Sequence, residues 1–310
     1  TPPFWSPEPK PTPGLPMNDA IRTCLPPDRH PRTPGFAIPA GAIDTHVHVF
    51  DHRYPLAADR GYDPPESTVV DLRQLHAALG FDRVVLTQPS AYGRDNSAIL
   101  DAMLQLNAVT PDRARSVVSL GMDTTDDELD ALDRLGVRGI RVNTDNQGAA
   151  PLAVGELTDM AARIATLGWH VEFLFPGEAL TSVLPLFDSL PVPISLSHFA
   201  YQRAADGVTS PGFKALLGLM RRGNTWMKIS GANRVSASDL PPYDDLTAMA
   251  HALIDAAPDR IMWGTDWPHP NKFVSMPNDG DLVDGFGQWV TDPALRHKIL
   301  VDTPELFYRF

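Results

Sequence analysis

Two histidines separated by one residue, His46 and His48, follow a short apolar run in the stretch AIDTHVHVFD, residues 42–51. Imidazole nitrogens can hold a divalent metal ion, polarise a carbonyl group by hydrogen bonding, or simply pack. A third histidine, His198, closes the run VPISLSH, and an aspartate, Asp266, closes the run DRIMWGTD. Each of the four comes at the end of a β-rich run, so we expect them to meet in one site.

Eight β-rich runs recur from residue 42 onward, and stretches with helical periodicity lie between them. Eight strands that alternate with helices in one domain of about 270 residues predict a (β/α)8 TIM barrel rather than an open doubly wound sheet. Gly80, Gly136 and Gly168 stand where predicted helices end, as expected of residues that turn left-handed. The runs are AIDTHVHVF, RVVLTQ, ARSVVSLG, VRGIRVN, WHVEFLF, VPISLSH, TWMKISG and DRIMWGTD.

In such barrels the catalytic groups lie at the carboxyl ends of the strands, where the βα loops form the active face. The spacing of His46 and His48 directs both side chains to the same side of their strand, into the barrel mouth. The same rule places His198 and Asp266 at that face. Further polar residues at predicted strand ends, or just beyond them, are Gln88, Ser90, Arg141, Asn143, Lys228, Ser230 and His269.

The first 41 residues are rich in proline, as in TPPFWSPEPKPTPGLP. Proline fixes φ and removes a backbone donor, so residues 1–41 are predicted to form an extended arm without helices or strands. The aromatic residues Phe4, Trp5 and Phe36 indicate that this arm lies on the folded body. We therefore predict a proline-rich arm over residues 1–41 and a barrel domain over residues 42–310.

Net charge, hydropathy and cysteine content limit the kinds of binding partner and the location that we expect. The formal net charge of −12 argues against a nucleic-acid-binding protein, which needs a basic face. No apolar run approaches the roughly 18 residues of a membrane helix, so no membrane partner is expected. Cys24 is the single cysteine, which excludes a disulfide within the chain and favours a cytoplasmic location, with an upstream targeting peptide left open. An arm of this length could reach a neighbouring subunit, so a homo-oligomer is also left open.

The segments DTHVHVFD, SLSHF and RIMWGTDWPHPN together resemble the amidohydrolase superfamily, in the branch of small lactone-acting hydrolases that includes the pyrone-dicarboxylate lactonases. The likeness covers nearly all of residues 40–310 and runs through RGIRVN, GWHV and the closing LVDTPELFY. It implies an enzyme with a (β/α)8 barrel that opens a lactone ring by water attack on the carbonyl. It also implies a role in the catabolism of aromatic compounds.

Carried over by motif, the resemblance implies that Asp266 is the general base that takes a proton from the attacking water. His46, His48 and His198 would either hydrogen-bond the lactone carbonyl or, with Asp266, hold one divalent ion such as zinc. The resembled lactonases work without metal, so zero and one ion both stay open. Two ions are not expected, because the strand ending in WHVEFLF offers no further metal ligand at its end. A nucleotide cofactor is not expected either.

The resemblance also implies an anionic substrate. Arginines bind carboxylate or sulfonate oxygens bidentately, and Tyr62 matches a tyrosine that contacts a substrate carboxylate in the resembled lactonases. Three positions differ from the resembled lactonases: this chain has Gln147 in place of an arginine, Leu174 in place of a tyrosine and Tyr201 in place of an arginine. The loss of these anion-binding groups favours a muconolactone, a sulfomuconolactone or a sugar-acid lactone over the pyrone dicarboxylate itself. The expected substrate-binding residues are Arg141, Arg234, Arg203, Tyr62, Gln88, Ser90 and His269.

Three other readings remain open at this stage. A decarboxylase of the same superfamily would use one zinc ion at His46, His48, His198 and Asp266 and would release carbon dioxide. A lactone isomerase would use the same base to remove a proton from carbon. A non-catalytic binding protein on a barrel scaffold would show a degraded His/Asp set, which is intact here. Glu172 is expected to be a buried structural carboxylate, and solvated or helix-capping roles are expected for His52, His76, His170, His251 and His297.

Overall fold

The computed structural model describes residues 21–149 and 151–310. Within these residues no helix combines the length and the apolar character needed to cross a bilayer. The strands in this part of the chain are β1 Arg22–Thr23, β2 Ile43–Val47, β3 Tyr62–Asp63, β4 Arg83–Thr87, β5 Ala114–Val118, β6 Val137–Asn143, β7 His170–Leu174, β8 Ile194–Leu196, β9 Thr225–Lys228 and β10 Ile261–Met262. The helices are α1 Val69–Leu79, α2 Ser97–Val109, α3 Asp126–Leu135, α4 Val154–Ala165, α5 Leu180–Ser189, α6 Pro211–Arg221, α7 Thr247–Ala256, α8 Asp279–Trp289, α9 Pro293–His297 and α10 Thr303–Tyr308.

The eight strands β2 and β4–β10 form one parallel sheet in sequential order, and each of the eight predicted runs contains one of them. Backbone hydrogen bonds join β2 to the segment from Trp263 to Trp267, which follows β10, and so close the sheet on itself. Helices α1–α8 each follow one barrel strand, as right-handed parallel crossovers require. The predicted (β/α)8 barrel is therefore confirmed.

Local signals set the ends of the helices. Residues Thr68 and Thr125 begin α1 and α3 with capping boxes, and Gly80 and Gly136 end them with φ of 98° and 112°. Those two glycine ends agree with the sequence prediction. Gly168 agrees as well: it is left-handed, with φ of 65°, and the turn that ends α4 closes on it, since the Trp169 N–H donates to the Ile164 carbonyl at 3.2 Å.

The helix α10 closes the amino-terminal end of the barrel. Its Tyr308 is fully buried and packs in one apolar cluster with Ile43, Val85, Val117 and Met262, which come from four different strands. Because this end is filled by apolar side chains, the polar side chains of the barrel interior are sealed from solvent below. They gather toward the opposite end, where the βα loops lie.

The part of the proline-rich arm that the structure describes, residues 21–41, lies on the barrel. The Phe36 ring packs against the core and lies 4.0 Å from the Arg296 guanidinium, and the Gly35 N–H donates to Asp284 Oδ1 on α8 at 2.6 Å. The expectation of an arm without strands is wrong for β1, since these two residues pair in parallel with β3. Phe4 and Trp5 lie outside the described residues, and the domain division after residue 41 stays a prediction.

A buried carboxylate on β2 fastens the loop that follows β10. Asp44 Oδ1 accepts a hydrogen bond from the Thr265 N–H at 2.9 Å, and Asp44 Oδ2 accepts one from the Thr265 hydroxyl at 2.7 Å. The Nε2 atom of His76 on α1 lies 3.3 Å from the same Oδ2. His76 was expected to be solvated or capping, but it is buried because it packs between α1 and this carboxylate. Asp44 thus ties one helix and one loop to the first barrel strand.

We predict that Asp44→Asn lowers the free energy of unfolding by about 2–4 kcal/mol, because the amide brings a donor to a place where donors from Thr265, His76 and the His46 backbone already converge. Urea unfolding followed by circular dichroism measures this loss. The matched control is Asp130→Asn on the exposed face of α3, which should change stability by less than about 0.5 kcal/mol. Equal stability of the two variants would contradict the role assigned to Asp44.

Candidate active site

Four polar side chains converge at the carboxyl end of the barrel. The Nε2 atoms of His46, His48 and His198 lie 3.8, 3.6 and 3.6 Å from the Oδ1 atom of Asp266. None of the four residues is more than 2% exposed. The structure therefore brings together the set that the sequence analysis singled out, with three imidazole edges facing one carboxylate oxygen.

Unusual backbone conformations deliver two of these side chains. Asp266 has φ of 64°, and four consecutive residues from His198 to Tyr201 have φ between 50° and 55°. Left-handed conformations are costly for residues other than glycine and rarely occur in succession. Strain of this kind is kept where a site needs it, which fits a turn that directs His198 into the barrel mouth.

An ion pair holds one oxygen of Asp266 and leaves the other open. The Arg234 Nε–H donates to Asp266 Oδ2 at 2.7 Å, and the Arg234 Nη2–H donates to the Pro270 carbonyl at 3.1 Å. The Oδ1 atom is buried without a hydrogen-bond partner. Burial by itself raises the pKa of the Asp266 carboxyl, but Arg234 and the histidines outweigh it and hold the pKa well below its usual range. Asp266 is therefore an ionised carboxylate with one free oxygen.

The three histidines are neutral. Burial lowers the pKa of His46 and His48, and it lowers the pKa of His198 to about 3. The Nδ1 atom of His48 lies 2.7 Å from the Thr87 carbonyl, and Nδ1 of His198 lies 3.0 Å from the Ser230 hydroxyl. These contacts fix the ring orientations, so that each ring turns its Nε2 edge toward Asp266.

A second buried ion pair lies beneath the histidines. Lys228 on β9 donates to Glu172 Oε2 on β7 at 2.5 Å and to the Thr45 carbonyl at 2.7 Å, and its Nζ atom lies 3.3 Å from His46 Nδ1. Burial raises the pKa of Glu172, but Lys228 outweighs it, so the net pKa of this carboxyl is lowered. From the sequence, Lys228 was expected at a strand end and Glu172 in the barrel interior, but the ion pair between them was not predicted. Their contact depends on the relative register of β7 and β9 around the barrel.

Two of the predicted anion-binding residues lie beside this site. Arg141 on β6 is 8% exposed, donates through Nη1 to the Gln88 carbonyl at 2.5 Å, and has a buried Nε without a partner. Tyr62 is buried near Arg141 and Arg234, and its burial raises the pKa of its hydroxyl to about 12, so it is a neutral hydrogen-bonding group. Arg141 and Arg234 thus place two guanidinium groups near Asp266, and Tyr62 adds a neutral hydroxyl.

The other predicted contacts occupy different surroundings. Gln88 donates through Nε2 to the carbonyls of Gly93 and Asp95, while Ser90 shares the rim of a small cavity with Arg141. His269 follows Asp266 on the same loop and is fully buried, with Nε2 3.0 Å from Asp279 Oδ1. The structure therefore shows Gln88 bracing the loop after β4 and His269 bracing the loop after β10.

Arg203 is exposed and lies in a surface groove of about 760 Å³. Tyr201, two residues earlier, also lines this groove, but its ring centroid lies 6.0 Å from that of His198. The sequence analysis noted Tyr201 only as a replacement for an arginine. Nothing in the sequence signals the left-handed turn that places Tyr201 next to His198.

Among the described residues, the ligand atoms of His46, His48 and Asp266 lie within 4.8 Å of one another, a spacing that one divalent ion could bridge. His46 Nε2 and Asp266 Oδ1 are both buried without a partner, so an ion, a water molecule or a substrate oxygen would satisfy them. Two imidazoles and a carboxylate are ligand types that zinc accepts. By type and spacing these three residues fit a single cation, and His198 lies outside this group of three.

His170 was expected to be solvated or capping. It is instead buried on β7 at the closed end of the barrel, where its ring centroid lies 4.4 Å from that of Phe307. Burial lowers the pKa of His170 to about 3. Its position on a strand, rather than on a helix or a loop, accounts for the difference, and it lies at the end of the barrel opposite the candidate site.

Comparison with known proteins finds relatives that match nearly the whole chain. The model of a family described as amidohydrolase matches residues 43–310. The chain is 38% identical to a 4-sulfomuconolactone hydrolase of Rhizobium radiobacter, with 93% of this chain and 98% of that protein covered. It is 36% identical to a 2-pyrone-4,6-dicarboxylate hydrolase of Comamonas testosteroni, with coverage of 90% and 93%.

Two further relatives bear on the reaction. A D-galactarolactone isomerase of Agrobacterium fabrum (strain C58) is 32% identical, with 89% of this chain and 94% of that protein covered. The crystal structure of a probable 2-pyrone-4,6-dicarboxylic acid hydrolase of Acinetobacter baumannii, with citric acid bound, superposes with a TM-score of 0.75 at 26% identity and covers 87% of this chain and 100% of that one. From the match of the family model and these identities, we conclude that the chain belongs to the amidohydrolase family.

Proposed function

We propose that this protein is a lactonase that opens the ring of an anionic lactone by water attack on the lactone carbonyl. The observation that carries the proposal is the free Oδ1 atom of Asp266, which faces three neutral histidine edges at 3.6–3.8 Å. Relatives named as 4-sulfomuconolactone and pyrone-dicarboxylate hydrolases, at 38% and 36% identity, support the same reaction class.

In this mechanism Asp266 is the general base. Its Oδ1 accepts a proton from a water molecule, while Arg234 keeps Oδ2 occupied and the carboxylate fixed in orientation. The water oxygen attacks the carbonyl carbon, and the proton held on Asp266 later passes to the departing ring oxygen. Donation from histidine N–H groups to the developing oxyanion lowers the barrier by several kcal/mol in sites of this kind.

A divalent cation bound by His46, His48 and Asp266 would supply Lewis-acid polarisation of the carbonyl when present. Zinc is the ion expected from the ligand types, and catalysis without an ion is equally compatible with the reaction. The metal-dependent decarboxylase considered from the sequence would require a stoichiometric ion at these residues. The cytoplasmic location, the homo-oligomer and the role in aromatic catabolism stay predictions.

The substrate is proposed to carry one or two anionic groups. Arg141 and Arg234 are buried beside Asp266, and a guanidinium in such surroundings binds a carboxylate or a sulfonate strongly. Leu174 is a buried apolar residue at the end of β7. A muconolactone, a sulfomuconolactone or a sugar-acid lactone is therefore preferred to the pyrone dicarboxylate.

An isomerase is the second candidate, and the D-galactarolactone isomerase at 32% identity is the observation that favours it. The same Asp266 would then remove a proton from carbon next to the carbonyl, and no water would be added. Solvent deuterium would enter a product whose ring stays closed. Hydrolysis adds one water to each lactone and releases a carboxylic acid.

We predict that the purified protein opens at least one lactone of a panel containing muconolactone, sulfomuconolactone, pyrone dicarboxylate and sugar-acid lactones. Acid release is followed by a pH indicator, before and after chelation, with metal content measured by mass spectrometry. Asp266→Asn should lower kcat by at least about 10³-fold because the base is lost, whereas Asp130→Asn should keep full activity. Silence of the wild-type protein across the panel would overturn the proposed function.

Arg141→Met should lower kcat/KM for an anionic lactone by roughly 10–100-fold, the value of one charge-assisted contact. The same variant should leave an uncharged lactone of equal ring size almost unaffected. Arg203→Met is the matched control, because Arg203 is exposed, and it should change kcat/KM less than about twofold. An equal loss in both variants would instead place the anion-binding site at the surface groove.

The pH profile should have no acid limb above about pH 5. The lowered pKa of Asp266 keeps the base ionised as the pH falls, and the lowered pKa of His198, about 3, keeps that ring neutral. Removing the cation in Arg234→Gln raises the pKa of Asp266 and should move the acid limb to higher pH. A wild-type limb near neutral pH would show that a different group is the base.

A further inference from the structure

The ammonium group of Lys228 has three hydrogen-bond acceptors, one for each of its protons. They are the Thr45 carbonyl at 2.7 Å, Glu172 Oε2 at 2.5 Å and His46 Nδ1 at 3.3 Å. Lys228, Glu172 and His46 are fully buried, so no solvent competes for these contacts. An ammonium is a donor only, and therefore each of the three atoms that it contacts must accept.

Glu172 is the alternative partner of His46 Nδ1, but its nearer oxygen lies farther away than the lysine. Glu172 Oε1 lies 3.5 Å from Nδ1, against 3.3 Å for Lys228 Nζ, and it also accepts the Ser197 hydroxyl at 3.2 Å. Breaking the Lys228–Glu172 pair would also leave a charge buried without compensation. Lys228 therefore determines that His46 Nδ1 accepts a hydrogen bond rather than donates one.

We propose that Lys228 is a positioning residue that fixes His46 in the tautomer with its proton on Nε2. A neutral imidazole has one N–H and one lone pair. With the Nδ1 lone pair facing Lys228, the N–H of His46 faces the open side of the site, where Nε2 has no partner within the described residues.

The neighbouring histidine of the same motif has the opposite polarity. His48 Nδ1 lies 2.7 Å from the Thr87 carbonyl, which can only accept, so Nδ1 carries the proton and Nε2 presents a lone pair. His46 and His48 thus offer one donor and one acceptor to the same space. Given the proposed function, His46 donates to the lactone carbonyl oxygen and His48 accepts from the attacking water.

The tautomer also decides whether the cluster can hold a cation. A metal ion needs the Nε2 lone pair of His46, which a proton occupies in this arrangement. Without the ammonium, His46 could donate Nδ1–H to Glu172, giving the carboxylate–histidine arrangement that supports metal ligands. Lys228 therefore lowers the affinity for a cation of a set of residues whose spacing suits one.

The test uses 15N-histidine-labelled full-length protein without substrate. Long-range 1H–15N spectra, with the His46 signals identified by their loss in His46→Gln, should show the proton on Nε2 in the wild-type protein and a loss of this fixed tautomer in Lys228→Met. Competition with a chelating dye should show zinc binding 10–100-fold tighter in Lys228→Met. Lys298→Met, which removes a partly exposed lysine paired with Asp259, should change neither readout.

The variant Lys228→Met/Glu172→Gln leaves no charge unpaired and serves if the single variant does not fold. It should likewise lose the fixed tautomer, whereas the gain in zinc affinity, which needs the Glu172 carboxylate, is expected in the single variant only. A wild-type protein with the proton on Nδ1 of His46 would overturn the inference, and so would an unchanged tautomer in the folded variants. Because no substrate is present, this outcome is independent of whether the protein opens lactones.

Discussion

A carboxylate buried inside the barrel needs hydrogen-bond donors or a cation beside it, and both carboxylates of the candidate site are paired with cations. Asp266 and Glu172 are fully buried, and Arg234 and Lys228 pair with them at 2.7 and 2.5 Å. Each cation does more than neutralise charge. Arg234 occupies one oxygen of Asp266 and leaves the other free, and Lys228 contacts the ring of His46 from below. Charge compensation and the orientation of the reacting groups are thus the same interactions.

The closed end of the barrel makes this arrangement possible. Tyr308 and the strand residues around it fill the amino-terminal end with apolar side chains, and the Tyr308 ring centroid lies 5.6 Å from Lys228 Nζ. At the other end, Asp44 fixes the loop that presents Asp266 with its left-handed backbone. Donors and charges that are buried in this way act on a substrate more strongly than in water.

Much of the fold follows from hydrophobic periodicity, because parallel strands buried on both faces are continuous apolar runs that stand out between amphipathic helices. The strand-end rule also brought His46, His48, His198 and Asp266 together, since it depends only on where a strand stops. The Lys228–Glu172 contact and the left-handed turn at Tyr201 could not be predicted this way. The contact depends on the relative register of two strands that are not adjacent. The turn depends on backbone dihedral angles that cannot be inferred from a single sequence.

The central claim is that Asp266 takes a proton from water and not from the carbon next to the carbonyl. Its most direct test is turnover of an anionic lactone in H₂¹⁸O and, separately, in D₂O. For a lactone that opens to an alcohol rather than an enol, water activation predicts one ¹⁸O atom in the new carboxylate, none in the released hydroxyl, and no deuterium bound to carbon. Attack at the carbonyl places the label there because the acyl–oxygen bond breaks. A product with a closed ring and carbon-bound deuterium, or ¹⁸O in the hydroxyl, would contradict it.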